Sequence, residues 1–115
     1  MSREYFKGTW QENRSFSPAV VTTGGRQIWL AGVGMWQDED GNNLDGDFEA
    51  QVHATFRQIE RNLAMAGGKL SDIVTMTVFI KDVRNGDKLT ELRKQYFPNR
   101  FPGSALITLS GFARP

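Results

Sequence analysis

Hydrophobic and polar positions follow two different periods along the chain, and each change of period marks an element. Residues 20–23 and 27–31 are mostly β-branched, aromatic or aliphatic and flank Gly24-Gly25. Two glycines accept the positive φ of a primed turn, so this stretch predicts a two-residue β-hairpin. Residues 37–47 (QDEDGNNLDGD) are polar, acidic and aperiodic, which predicts a loop. Phe48, Val52, Phe56, Ile59 and Leu63 then recur at spacings of 4, 4, 3 and 4. That is one stripe of a helix, with Asp47 as N-cap and Gly67-Gly68 as its stop. Residues 73–80 (IVTMTVFI) are apolar on both alternations, as a central strand is. A second helix is expected to start at Gly86-Asp87, to turn Leu89, Leu92 and Tyr96 inward, and to end at Pro98. Residues 105–109 (ALITL) predict a final strand.

The order is ββαβαβ, an α+β arrangement in a single domain spanning 1–115. Two helices cover only one face of a mixed sheet, yet residues 28–31 and 73–80 are apolar on both faces. The uncovered face needs a partner, and a second copy of the chain is the simplest one. A homo-oligomer is therefore expected.

Composition narrows the function classes. The chain has 115 residues, 39% of them hydrophobic and 23% charged, as in an ordinary globular domain. Fourteen Lys and Arg against thirteen Asp and Glu give a net charge of +1. A protein that neutralises nucleic-acid phosphates carries a strong basic excess, so no nucleic-acid partner is expected despite three tryptophans and eight phenylalanines. No apolar run is long enough to cross a membrane and the first residues are polar, so a cytoplasmic protein without a membrane partner is expected. The chain has no cysteine and one histidine, which leaves no thiolate ligand or nucleophile and no pair of imidazoles.

Three smaller signals have plain structural readings. Asp38, Asp40 and Asn42 alternate and Glu49 falls twelfth, as in a calcium loop, but Asn43 stands where that loop needs glycine. A solvated turn is the better reading, and no metal is expected. His53 lies beside the helical stripe and is read as a flanking surface or interface residue rather than a base. Gly32-Val33-Gly34 follows a strand without extending into a nucleotide-binding fingerprint.

Several segments in order resemble the RidA/YjgF family. They are Phe16-Ser17-Pro18-Ala19-Val20, Ile28-Trp29-Leu30-Ala31-Gly32, the helix closing on Ala66-Gly67-Gly68, Ser71-Asp72-Ile73-Val74 leading into Thr77-Val78-Phe79-Ile80-Lys81-Asp82-Val83, and the pairs Tyr96-Phe97 and Phe101-Pro102. The resemblance implies a chorismate-mutase-like α+β fold with two helices on one face. It also implies a homotrimer whose sheets pack into a central barrel, with small-metabolite clefts between subunits. Family enzymes hydrolyse reactive imines and enamines such as 2-iminopropanoate without a cofactor, so none is expected, and the ligand would be a 2-imino or 2-keto acid. Carried over by position, the ligand-binding residues are Phe16, Ala31, Gly32, Thr90 and Ser104. Ser104 stands where the family has the arginine that grips the substrate carboxylate, a fork of charge-assisted hydrogen bonds. Arg100 and Arg114 are the candidate replacement anchors. The glutamate that the family uses to handle water belongs to a last strand, expected after Pro115. The expected protein is thus a divergent family member that binds a small metabolite, with deaminase activity absent or redirected. An active deaminase with a relocated arginine is the first alternative, and an RNA-directed ribonuclease or translation inhibitor the second.

Overall fold

The computed structural model describes residues 2–113. Its elements are β1 (Ser2–Tyr5), β2 (Val20–Thr23), α1 (Phe48–Met65), β3 (Thr75–Ile80), α2 (Gly86–Arg93) and β4 (Gly103–Thr108). The order is ββαβαβ, but the first two strands are not those of the expected hairpin. β2 pairs antiparallel with β1, Ser2 opposite Thr23 and Tyr5 opposite Val20. Gly24 and Gly25 do take positive φ, 73° and 82°. The chain then leaves the sheet, and residues 26–35 form no strand. Arg26 Nη2 donates to the Ala66 carbonyl (3.1 Å) and Ile28 packs beside Gly68, so this arm runs to the end of α1 instead of folding back on β2.

The sheet is also divided. β3 and β4 form a separate parallel pair, in register from Thr75 opposite Gly103 to Ile80 opposite Thr108, with α2 as the crossover between them. In place of the single mixed sheet there are two two-stranded sheets.

α1 begins where Asp47 accepts the Ala50 N–H (3.1 Å), satisfying one of the free donors of the first turn. It ends where the N–H groups of Gly67 and Gly68 return to Ala64 and Leu63, with Gly67 at φ 83°. α2 stops at Arg93, short of the expected Pro98. From there Lys94, Gln95 and Tyr96 donate three residues back, a tightened last turn. Val52 and Phe56 of α1, Ile80 of β3, Leu89 and Leu92 of α2, and Phe97 form the buried core. The acidic loop closes on itself: Asp38 accepts from the backbone of Asp40 and Asn42 and from the Asn42 side chain, each at 2.9 Å. Those bonds, the Asn42 side chain's first, hold the Asp38 carboxyl below its ordinary value.

Candidate functional site

The parallel β3–β4 pair places the end of α2 beside the start of β4, and the turn at residues 11–16 closes over both. Between them lies a cavity of about 210 Å³ lined by Trp10, Arg14, Phe16, Thr90, Arg93, Ser104 and Leu106. Trp10 and Phe16 meet edge to face, 5.7 Å between centroids, and with Leu106 form its apolar wall.

Arg93 is 4% exposed, yet among the described residues no carboxylate pairs with it and its hydrogen-bond partners are uncharged acceptors. Nη1 donates to Ser104 Oγ (2.6 Å) and approaches Met76 Sδ (3.8 Å), Nε donates to Ser15 Oγ (3.1 Å), and Nη2 donates to the Arg14 carbonyl (3.1 Å). Burial, and after it the charge of Arg14, pulls the guanidinium down to about 10, which leaves it fully charged at neutral pH. Arg14 donates to the Asp87 carboxylate at 2.7 Å near the surface. Among the described residues, one positive charge at the cavity, that of Arg93, is therefore without a carboxylate partner. Thr90 is buried, and its hydroxyl donates to the Gly86 carbonyl (2.9 Å).

Three of the expected site residues, Phe16, Thr90 and Ser104, thus meet in one cavity. Ala31 and Gly32 do not join them; both lie exposed in the strandless segment 26–35. Arg100 is placed elsewhere, 4.6 Å over the Tyr5 ring and beside a second hollow lined by Ser71, Tyr96 and Asn99. Arg114 lies outside the described residues. The guanidinium that does reach Ser104 is Arg93, which sequence reasoning passed over together with Arg14 and Trp10. Arg93 carried a signal: four residues after Leu89, it falls on the inward stripe of α2, where a charged residue needs an explanation. His53 is not simply a flanking residue. Its Nδ1 bonds the Tyr96 hydroxyl, its Nε2 is 3.8 Å from Glu49, and it is half-buried.

The cavity can hold a small anion with an apolar portion. Among the described residues its lining has two guanidinium groups, Arg14 and Arg93, and hydroxyl groups but no carboxylate or imidazole. No described helix is long and apolar enough to cross a membrane.

Comparison with known proteins agrees with this fold. Residues 10–112 match the family model described as endoribonuclease L-PSP. A RutC family protein of Pyrococcus abyssi is 30% identical over 86 residues, 75% of this chain and 68% of the relative. A human protein named 2-iminobutanoate/2-iminopropanoate deaminase is 25% identical over 100 residues, 86% of this chain and 71% of that protein. Among solved structures, the Rid family protein YyfB of Yersinia pestis superposes with a TM-score of 0.84 at 20% identity, over 100% of this chain and 91% of that one.

Proposed function

Because the chain belongs to the endoribonuclease L-PSP family, the RidA/YjgF group its sequence resembles, we propose that it binds a small monocarboxylic metabolite of the 2-imino or 2-oxo acid class, with Arg93 as the anchor. The observation that carries this reading is a buried guanidinium that, among the described residues, has no carboxylate partner and lines the cavity. An entering carboxylate balances that charge, and the Trp10–Phe16–Leu106 wall receives the apolar remainder. Ser104 accepts from Arg93, so its own O–H is free to donate to the ligand. In this reading the cleft is completed by a neighbouring subunit of a homotrimer. Leu106 supports it, since it belongs both to the cavity wall and to the exposed apolar face of β4.

Titration with pyruvate tests the anchor. The wild-type chain should bind it, and Arg93→Gln should bind about 10- to 100-fold more weakly, the worth of a hydrogen bond to a charged group. Equal affinities would overturn the reading. Hydrolysis of 2-iminopropanoate is the second reading, supported because Arg93 brings a guanidinium to within 2.6 Å of Ser104 Oγ, the residue that the resemblance matches to the family arginine. An amino-acid oxidase generates the imine in place and semicarbazide traps what survives. Faster loss of trapped imine with wild type than with Arg93→Gln would establish catalysis. Loss at the buffer rate would confine the site to binding.

A further inference from the structure

The plane of the Arg93 guanidinium is set from the side opposite Ser104. Nη1 points to Ser104, while Nε and Nη2 are received by two consecutive residues of the turn at 11–16, through Ser15 Oγ and the Arg14 carbonyl. Ser15 has no exposed surface at all. Its single hydroxyl proton faces the carbonyls of Arg14 (2.7 Å) and Thr90 (2.8 Å), which leaves its lone pairs to accept Arg93 Nε–H. Ser15 is also the one non-glycine among the described residues with positive φ, 61°. A side chain rarely adopts that conformation, and it persists only where its surroundings hold it. Here it brings the Ser15 hydroxyl and the preceding carbonyl onto the same guanidinium.

We propose that Ser15 is a positioning residue. It locks the orientation of Arg93 so that the edge bonded to Ser104 faces the ligand, and it ties the cavity's aromatic turn to α2. This rests on the carboxylate reading of the cavity, with Arg93 the group that meets the ligand and Ser15 acting through it.

Two variants and two readouts test the proposal. Ser15→Ala keeps the Cβ and loses the hydroxyl. Ser15→Gly loses the hydroxyl but accepts φ 61° without strain, so it guards against simple failure to fold. The first readout is the preference for pyruvate over its neutral amide, pyruvamide. In both variants that preference should fall about tenfold, as expected when an oriented charge-assisted bond is lost, even where glycine preserves the melting temperature. Equal weakening of both ligands, or no change, would make Ser15 merely structural and overturn the proposal. The second readout needs no ligand. The Arg93 Nε–H resonance, assigned by its loss in Arg93→Lys, should exchange with solvent about tenfold faster in both variants, following loss of its acceptor. Unchanged exchange would overturn the clamp. Faster exchange in the variants, with a wild-type protein indifferent to pyruvate, would instead leave the clamp standing and bring down the carboxylate reading.

Discussion

In the proposed carboxylate site, Ser104 and Arg93 would divide between two residues what one arginine does alone: the charge on α2 and a hydroxyl bonded to it on β4. On that reading an arginine at 104 would not restore a missing function. It would place another guanidinium against a buried one that has no carboxylate beside it among the described residues. Ser104→Arg is expected to lower the melting temperature and to give no gain in 2-iminopropanoate hydrolysis, which a thermal melt and the trapping assay measure together. A gain in hydrolysis would show that the direct fork, and not the charge alone, was lacking. At this scale the resemblance brought out Phe16, Thr90 and Ser104, because those positions are carried in order along the chain. It did not bring out Arg93, because the partner of a long flexible side chain is decided by packing, not by spacing.

Among the elements, the helix starts offer the clearest measurements. Asp47→Ala removes the acceptor for the Ala50 N–H and should cost about 1 kcal/mol of unfolding free energy in urea, the usual worth of an N-cap. Asp82 leads into α2 and accepts both the backbone N–H (2.9 Å) and the guanidinium of Arg84. The Arg84 side-chain bond, then its backbone bond, brings the carboxyl down to about 2 from 3.8. Because the folded value is the lower one, its contribution to stability is fully present above 3.8 and is lost as pH falls through about 2. In Arg84→Ala the Asp82 titration, followed by carboxyl NMR, should move up toward 3.8. α1 was legible because five apolar residues, a cap and a glycine stop all agree within one local window. The Gly24-Gly25 turn was equally plain, but a turn does not name the strand that pairs beyond it. β1, with the sequence Ser-Arg-Glu-Tyr, is too short and polar to announce itself, and it takes the edge of β2 that the hairpin reading gave to residues 27–31.

Across the whole molecule, much apolar surface is left open. Trp29 is 86% exposed, and Phe79, Leu106 and Ile107 stand out on β3 and β4. The radius of gyration is 14.6 Å, against about 13 Å for a compact chain of this length. Apolar surface of this extent is what the expected self-association would cover; β3 and β4 carry part of it, whereas residues 28–31, the other stretch from which it was expected, form no strand. Sedimentation equilibrium at micromolar concentration should return the mass of three chains, and Trp29→Glu together with Phe79→Glu should return a mass near 13.0 kDa. A wild-type monomer would remove the trimer and, with it, the intersubunit cleft.

The contacts that close on Arg93 reach across most of the chain. Ser104 lies 11 residues away, but Ser15 lies 78 away and the Arg14 carbonyl 79. Loop-closure entropy delays such distant contacts relative to local ones. α1, β3, α2 and β4 follow one another within residues 48–108, so their mutual contacts close shorter loops and are expected to form first. Trp10, Arg14 and Phe16 arrive with that turn, so the cavity gains its far wall after the core has assembled. Helical structure and the proposed affinity should then mature at different times, so that a chain can be largely folded before its cavity is complete. A carboxylate that binds the cavity as proposed would stabilise only the state in which the turn has docked.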